Sequence, residues 1–252
     1  MKGIILAGGL GTRLLPLTNI TNKHLLPVYN KPMILYPLTT LIKSGLTEIM
    51  IVCGREYAGD FMNFLGSGKD YGVQISYALQ DRDNGGVADA LRCAEDFADN
   101  DSVAVILGDN IIEQDFAKEV KKFQAGLPAG KAGAMGFFKQ VPDPERSGVA
   151  VFSKDKKKII KIEEKPKHPK SNYIQIGFYL FDRRAFDIIK KLKPSARGQY
   201  EISDIPNQYI AWDKFGFSYV KGFWSDAGTF PSLFNAIVWA QRKSSKLNPA
   251  KK

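Results

Sequence analysis

A glycine-rich turn near the amino terminus carries the first residues whose types could do chemistry. The apolar run at residues 3–6 predicts a buried parallel strand, and Gly8, Gly9 and Gly11 follow it. Because these glycines lack Cβ atoms, backbone N–H groups can approach an anion closely. Arg13 adds a planar, permanently charged guanidinium that suits phosphate oxygens. The turn therefore predicts a phosphate-binding site.

Two common phosphate motifs do not fit this turn. The dinucleotide pattern needs a third glycine where the chain has Leu14, and the Walker pattern needs a Gly-Lys-Ser/Thr triplet that does not follow. A strand-to-helix turn packed tightly by glycines is the structural alternative. Arg13, together with Lys23 at the end of the polar residues 18–22, favours phosphate binding over that alternative.

Two aspartates have the chemistry of magnesium ligands. Asp109 comes directly after the apolar run at residues 103–107, and Asp226 lies between a predicted strand and the last predicted helix. Mg²⁺ takes hard oxygen ligands, usually one or two carboxylates completed by phosphate and water. A turn-forming role for Asp109, and a turn or helix-capping role for Asp226, are the alternatives that these residues alone leave open.

A glutamine and a glycine bracket the polar residues 81–85. The carboxamide of Gln80 has both a donor and an acceptor and could pair with the edge of a thymine or uracil ring. Gly86 would let its backbone approach the base. As a lone glutamine, Gln80 could equally be a loop residue with internal hydrogen bonds.

Apolar periodicity predicts alternating strands and helices in the first half of the chain. The predicted strands cover residues 47–53, 73–79 and 103–107, and the predicted helices cover residues 32–44, 57–65 and 86–98. This alternation indicates an α/β fold: a Rossmann-like, doubly wound, mixed but mainly parallel sheet flanked by helices. Ligands in such sheets bind beyond the carboxyl ends of the strands. We therefore expect the glycine turn, residues 80–86 and residues 108–110 to converge on one cleft.

The regular alternation of predicted strands and helices ends at about residue 131. Strand-like runs cover residues 134–138, 148–152, 159–163, 173–181 and 215–220, and helices are predicted at residues 185–192, 202–211 and 229–242. We interpret these runs as strands added to the sheet plus a smaller β layer. The sequence thus predicts a single domain over residues 1–243, with halves at 1–130 and 131–243, followed by a basic tail at 244–252.

Composition is ordinary for a globular enzyme: 252 residues, 44% hydrophobic and 25% charged. Cys53 and Cys93 have no metal-ligand spacing and favour a reduced, cytoplasmic protein, and we expect no signal peptide or membrane span. The net charge of +10 permits nucleic-acid binding, but the excess lysine lies in residues 154–170 and 242–252 without a nucleic-acid-binding motif. We expect a solvated basic surface that attracts anionic nucleotides, and no nucleic-acid or membrane partner.

Residues 8–18 (GGLGTRLLPLT), 22–28 (NKHLLPV) and 31–33 (KPM) together resemble the signature of the sugar-1-phosphate nucleotidylyltransferases. The resemblance runs from Lys2 to about Gln241, and residues 194–204 are most similar to members that use dTTP and glucose 1-phosphate. It implies an α/β nucleotide-diphospho-sugar transferase fold whose smaller β layer faces the sugar.

The resemblance also implies roles for individual residues. The catalytic residues would be Arg13, Lys23, Asp109 and Lys165, and the magnesium ligands Asp109 and Asp226. Nucleotide contacts would come from Gly8, Gly9, Gly11, Thr12, Arg13, Gln80 and Gly86. Contacts to the sugar phosphate would come from Asn110, Gly148, Glu164, Lys165, Gln175 and Arg197. For Glu164 and Lys165 a solvated charged strand is the alternative.

The sequence departs from the family pattern at three positions. Ser147 stands where members often have an aromatic residue, Gln175 replaces a small apolar residue, and Asp89 stands where the family has a glutamine. The first two bear on which sugar is bound. His24 and His168 lack metal-ligand spacing and are expected to be structural or exposed.

The reaction implied is magnesium-dependent transfer of a thymidylyl group from dTTP to α-D-glucose 1-phosphate, with release of pyrophosphate. Alternatives are a UTP- or CTP-dependent enzyme, an enzyme for another hexose, and a catalytically silent regulator that binds nucleotide sugars. The chain stops soon after the last predicted helix, whereas longer members carry extra helices, so we expect a homodimer rather than a tetramer.

Overall fold

The structure is a computed structural model, and it describes residues 1–81, 85–127 and 133–247. Part of the predicted polar loop (residues 82–84), the start of the predicted second half (131–132) and the end of the predicted tail (248–252) lie outside the described residues. Among the described residues, no helix is both long and apolar enough to cross a membrane.

The strands are numbered in chain order. They are β1 (Lys2–Ala7), β2 (Pro27–Val28), β3 (Lys31–Pro32), β4 (Glu48–Gly54), β5 (Gln74–Gln80), β6 (Val103–Leu107), β7 (Ile111–Ile112), β8 (Ala134–Gln140), β9 (Gly148–Phe152), β10 (Ile159–Glu164), β11 (Tyr173–Phe181), β12 (Phe215–Tyr219) and β13 (Trp224–Ser225).

The helices lie between these strands and at the end of the chain. They are α1 (Leu35–Lys43), α2 (Ala58–Leu65), α3 (Val87–Arg92), α4 (Glu95–Ala98), α5 (Ala117–Gly126), α6 (Arg184–Ile189), α7 (Asp204–Ala211) and α8 (Phe230–Leu247). The predicted helix at residues 86–98 is divided at Cys93 and Ala94 into α3 and α4, and α8 continues to Leu247, into the predicted basic tail.

One nine-stranded sheet forms the centre of the molecule. Its main path runs β10-β9-β11-β6-β1-β4-β5, with β8 joined to β11 and β12 joined to β8. The pairs β1–β4, β1–β6 and β4–β5 are parallel, whereas β11 is antiparallel to β6, β8 and β9. This confirms the expected doubly wound mixed sheet. The strands β8 to β12, including those expected to form a smaller layer, are hydrogen-bonded into this same sheet.

Helices cover both faces of the sheet because successive strand residues point to opposite faces. In β1, Ile5 and Ala7 pack with α1, α2 and α5 on one face, and Ile4 and Leu6 pack with α3, α6 and α7 on the other. Burial on both faces explains why β1 is a continuous apolar run rather than an alternating one.

Two short antiparallel sheets lie apart from the central sheet. β2 pairs with β3, and β7 pairs with β13 through Ile111↔Ser225 and Ile112↔Trp224. α8 packs in the same apolar cluster as residues of β2 and β7, with Leu14, Leu26 and Leu233 among its members. The amino-terminal loop and the last helix therefore share one core next to the carboxyl end of β6.

Candidate active site

A cleft of about 400 Å³ lies at the carboxyl ends of β1, β5 and β6. Twelve residues predicted from the sequence line it: Gly8, Gly9, Gly11, Thr12, Arg13, Lys23, Gln80, Gly86, Asp109, Glu164, Lys165 and Arg197. The carboxyl ends of the parallel strands β1, β5 and β6 meet at one edge of the sheet, which explains why the segments that follow these three strands come together.

Four predicted site residues do not line the cleft. Asn110 is buried beside it and accepts hydrogen bonds through Oδ1 from the Gly177 backbone N–H and from Trp224 Nε1. Gly148 lies behind Glu164, and Asp226 lies behind Asp109 on the turn that follows β13.

Gln175 is the fourth, and its side chain is buried against Gly136 within the sheet. Its Nε2 atom makes no hydrogen bond to the described residues. The structure thus places Gln175 under the cleft rather than in its wall.

The glycine-rich turn is shaped by close packing around Gly11. Gly11 has a φ of +67°, and a Cβ atom there would lie 2.8 Å from the Thr18 Cγ2 atom and 3.0 Å from the Lys23 Cβ atom. Thr18 Oγ1 donates to the Gly11 carbonyl at 3.1 Å. Glycine is required here both by the left-handed backbone and by the space that Lys23 occupies.

Lys23 and Asp109 form an ion pair in the floor of the cleft. Lys23 Nζ donates to Asp109 Oδ2 at 2.7 Å, and the two side chains are 11% and 12% exposed. Asn110 Nδ2 donates to the other carboxylate oxygen, Oδ1, at 3.0 Å. Burial acts to raise the pKa of Asp109, but the charge of Lys23 and these hydrogen bonds outweigh it and hold the pKa below its usual range.

His24 packs behind this pair and fixes the path of the loop. Its Nδ1 and backbone N atoms both contact Asn22 Oδ1, at 2.7 and 2.9 Å. Its ring lies where a side chain at Gly108 would be, 2.6 Å from the Cβ position. Burial, with the neighbouring charge of Lys23, lowers the pKa of His24 to about 3, so the ring is neutral at physiological pH. The expectation of a structural His24 and an exposed His168 agrees with the structure.

The pairing of β7 with β13 brings Asp226 next to the ion pair. Asp109 precedes β7 and Asp226 follows β13. The antiparallel register of these two strands therefore puts the two aspartates on neighbouring segments of the polypeptide. Gly228 lies between them and Arg13: a Cβ atom there would be 2.8 Å from Arg13 Nη2 and 3.5 Å from Asp109 Oδ2. Asp226 Oδ1 accepts from the Gly228 backbone N–H at 3.4 Å.

Asp226 is not the cap of α8. Thr229 Oγ1 accepts from the Ser232 backbone N–H, and Ser232 Oγ accepts from the Thr229 backbone N–H in return. This reciprocal arrangement satisfies the first turn of the helix. The carboxylate of Asp226 is therefore not needed for capping, which leaves the turn contact to Gly228 and a second oxygen that has no hydrogen-bond partner among the described residues.

The donor set fits a magnesium ion that also has phosphate ligands. No group of three or more His, Cys, Asp or Glu side chains suited to a metal occurs among residues 1–81, 85–127 and 133–247. However, Mg²⁺ bound with substrate phosphates needs only one or two carboxylates. The β7–β13 register puts Asp109 and Asp226 on adjacent segments, and Lys23 already offsets the charge of Asp109 before phosphate arrives.

Gln80 forms the opposite wall of the cleft. It is 7% exposed, and its Nε2 atom contacts the Gly86 carbonyl oxygen at 3.3 Å and Asp89 Oδ2 at 3.4 Å. Its Oε1 atom lies 2.3 Å from the position of a Cβ atom at Gly8, so a larger residue at Gly8 would displace it. Gln80 therefore connects the glycine-rich turn to the start of α3.

A second cluster of charged side chains lines the same cleft. Arg197 Nη2 lies 2.8 Å from Glu201 Oε2 and 3.5 Å from Glu164 Oε1. Burial and the charge of Glu201 raise the pKa of Glu164, whereas burial and the charge of Arg197 lower the pKa of Lys165. The two cations and two carboxylates suit a ligand with both an anionic group and several hydroxyls.

The backbone at Lys165 is held in an unusual conformation. Lys165 has a φ of +44°, and its N–H donates to the Ser147 carbonyl at 3.0 Å. A non-glycine residue in this region costs roughly 1–3 kcal/mol, and such residues concentrate at functional sites. The conformation turns the chain out of β10 at the cleft, which supports a functional role for Lys165 over the alternative of a solvated strand.

Three residues of one loop line the cleft that sequence reasoning did not select. They are Gln199, Glu201 and Ile202. The loop is joined to the start of α3 by two backbone hydrogen bonds. The Tyr200 N–H donates to the Gly85 carbonyl, and the Ala88 N–H donates to the Tyr200 carbonyl. The i, i+4 spacing of Arg197 and Glu201 was the one sequence signal for an ion pair between them. No neighbouring residue in the sequence indicated that this ion pair would lie next to Glu164.

The chain belongs to the nucleotidyl transferase family, whose model matches residues 2–242. It is similar to the glucose-1-phosphate thymidylyltransferase of Neisseria meningitidis serogroup A, with 44% identity over 96% of this chain and 83% of that protein. The relationship accounts for the fold.

Comparison with solved structures supports the same fold. A Bacillus anthracis protein assigned as a glucose-1-phosphate thymidylyltransferase, in complex with sucrose, is 49% identical, with a TM-score of 0.89 over 96% of this chain and 95% of that one. A UDP-glucose pyrophosphorylase without ligand has a TM-score of 0.82 over 97% of this chain and 99% of its own, but only 23% identity. At that identity the second likeness shows the fold alone.

Proposed function

We propose that this protein transfers a thymidylyl group from dTTP to α-D-glucose 1-phosphate, giving dTDP-glucose and pyrophosphate. The observation that carries the proposal is the set of charged residues in one cleft: Arg13, the Lys23–Asp109 pair, Lys165 and Arg197 all line it. Such a set suits the phosphates of two substrates that react in the cleft. The similarity to glucose-1-phosphate thymidylyltransferases supports this pair of substrates.

The chemistry is an in-line displacement at phosphorus. An oxygen of the sugar phosphate forms a bond to the α-phosphorus of dTTP, and the bond from that phosphorus to the bridging oxygen breaks. Pyrophosphate departs with the electron pair. The attacking phosphate is already an anion at neutral pH, so the site needs no general base, and positioning with charge neutralisation supplies the rate enhancement.

Each charged residue has a place in this reaction. The backbone of Gly8, Gly9, Gly11 and Thr12 and the guanidinium of Arg13 would bind the departing pyrophosphate. Lys23 would stabilise charge around the reacting phosphorus, and Lys165 with Arg197 would hold the sugar phosphate. Glu164 would accept hydrogen bonds from sugar hydroxyls. Asp109 and Asp226 would hold Mg²⁺, which when bound supplies further neutralisation of the phosphates.

Base recognition would fall to Gln80 and Gly86. Thymine and uracil present the same pairing edge, so preference for dTTP over UTP would rest on exclusion of the ribose 2′-OH by shape. No hydroxyl-specific donor or acceptor is required for that exclusion. The preference for dTTP over UTP is therefore not set by Gln80 and has to be measured.

The experiment is a matrix of dTTP, UTP, dCTP and CTP against several sugar 1-phosphates, with pyrophosphate release as readout. The pair dTTP and glucose 1-phosphate should have the highest kcat/KM. Lys165→Met should abolish most of the rate, and Lys167→Met, which changes an exposed neighbouring lysine, should not. Release of no pyrophosphate with any pair, despite nucleotide binding, would show a nucleotide-sugar-binding regulator instead.

The proposed assembly is a homodimer in the cytoplasm. Both cysteines are free thiols in the structure, and Cys53 is buried. Free thiols are usual for a protein that folds in a reducing compartment. Light scattering of the purified chain tests the dimer, and a mass twice that of the 28.0 kDa chain is expected.

A further inference from the structure

Asp89 is a buried carboxylate that the proposed reaction does not use. It lies on α3, is 3% exposed, and its Oδ1 atom accepts from Arg92 Nη2 at 2.7 Å. Its second oxygen, Oδ2, is directed at Gln80 Nε2. Oδ1 is thus bound by the guanidinium of Arg92, while Oδ2 faces Gln80 in the wall of the cleft.

The surroundings of Gln80 determine which way its carboxamide is turned. The Gly86 carbonyl and the Asp89 carboxylate lie on the same side of the amide, and both can only accept hydrogen bonds. The two hydrogens of Nε2 are therefore both used there, and the opposite orientation would set oxygen against two acceptors. Carboxamide orientation is fixed by such networks rather than by shape.

The Oε1 atom of Gln80 is then presented to the cleft beside Gly8. No residue within the described ranges 1–81, 85–127 and 133–247 donates a hydrogen bond to it. A fixed acceptor at this point pairs with the N3–H donor of thymine or uracil. It opposes cytosine, whose N3 is an unprotonated acceptor.

We propose that Asp89 is a positioning residue that fixes the Gln80 carboxamide with its oxygen toward the nucleotide, and thereby selects bases with an N3–H donor against cytosine. The proposal rests on the proposed function, because it takes a nucleoside triphosphate in this cleft as the ligand. It goes further by naming a residue that never touches the base.

The test is the ratio of the dissociation constants for dCTP and dTTP, measured calorimetrically on the full chain without a sugar phosphate. Asp89→Asn replaces an obligate acceptor by a side chain that also donates, so the Gln80 amide can turn over. We expect the ratio to fall about tenfold. Arg92→Gln is the matched control: it removes the same ion pair but keeps the carboxylate, so the ratio should stay at the parent value.

The same substitution in a Gln80→Ala protein distinguishes a positioning role of Asp89 from a general loosening of the site. In Gln80→Ala protein, Asp89→Asn should leave the dCTP/dTTP ratio unchanged, because the side chain through which Asp89 acts is gone. An unchanged ratio on Asp89→Asn in the parent background, or an equal fall in both backgrounds, would overturn the proposal.

A measurement on the unaltered protein covers the case in which the variants do not fold. Both side-chain amide hydrogens of Gln80 should exchange slowly with solvent by NMR, because both are hydrogen-bonded away from the cleft. Exchange as fast as that of an exposed glutamine would overturn the proposal. Failure of the proposed function looks different: the parent would discriminate dTTP from dCTP in binding yet release no pyrophosphate.

Discussion

Lys23 Nζ lies 2.7 Å from Asp109 Oδ2, and this ion pair joins the amino-terminal loop to the carboxyl end of β6. Because both side chains are nearly buried, neither charge has water to stabilise it if the other is removed. The pair therefore has two functions at once: it holds the loop in place, and it keeps a carboxylate ionised in the floor of the cleft.

Lys23→Met should lower the free energy of unfolding by about 3–5 kcal/mol, because it leaves Asp109 buried and unpaired. Urea denaturation measures this. The control is Lys158→Met, which removes an exposed pair with Asp213 and should cost no more than about 1 kcal/mol. If the two variants lose equal stability, the Lys23–Asp109 pair is not structural.

The same pair predicts a pH dependence. The folded pKa of Asp109 is below its usual value, so the stabilisation is complete above the unfolded pKa, near 3.9, and is lost as pH falls through the folded value. In Lys23→Met the charge and the hydrogen bond of Lys23 are lost, so burial is opposed mainly by the hydrogen bond from Asn110 and the pKa of Asp109 should rise relative to the parent. Acid denaturation curves should therefore converge below pH 4; curves that stay parallel would contradict the depressed pKa.

Gly228→Ala should lower turnover without unfolding the protein. The new methyl group would lie 2.8 Å from Arg13 Nη2, the far end of a flexible side chain that can move at little cost in stability. Because Arg13 is proposed to bind the reacting phosphates, a displacement of this size should reduce kcat by roughly tenfold to a hundredfold. The control is Gly59→Ala, where the Cβ atom meets open space, and its steady-state rate should equal that of the parent.

Asp226→Asn keeps the shape of the side chain and removes one charge. Since Thr229 and Ser232 cap α8, thermal stability should change little. The magnesium concentration for half-maximal rate should rise, and the maximal rate should fall, because one hard ligand is weakened. A magnesium titration that overlays the parent curve would remove Asp226 from the metal site.

Glu164→Gln should change how stability depends on pH. Burial and Glu201 raise the folded pKa of Glu164, so its contribution is fully present below the unfolded pKa, near 4.3, and is lost as pH rises through the folded value. The variant has no such loss, so its stability relative to the parent should increase between pH 4 and 8. Glu163→Gln, whose parent carboxylate lies 3.0 Å from the ammonium group of exposed Lys170, is the control. A constant difference across this range would contradict the raised pKa.

Much of the first half of the fold was predictable because its signals are local. Continuous apolar runs marked β4 and β6, and Gly45 and Gly66 marked the ends of α1 and α2. The convergence of Gly8, Gln80 and Asp109 on one cleft followed from parallel strand order alone.

The rest of the site depends on contacts between residues far apart in sequence. The β7–β13 pairing involves only two residues in each strand, too few for a periodic pattern to show. Gln175 is buried in the sheet because β11 pairs with three strands, β6, β8 and β9. No property of residues 173–181 indicates this central position of the strand. Glu201 lines the cleft because its loop is hydrogen-bonded to Gly85 and Ala88, another long-range contact.

The β7–β13 pairing also sets an order of assembly during synthesis. A nascent chain that has reached Val220 already contains Lys23, Asp109 and every strand of the central sheet, but not the segment that carries Asp226 and Gly228. The segment that carries Asp226 and Gly228 therefore joins the cleft only when β13 and α8 have emerged from the ribosome. Until then the Asp109 carboxylate and the Arg13 guanidinium lack the turn at Gly228 that lies against both in the finished protein, so the proposed catalytic centre is completed last.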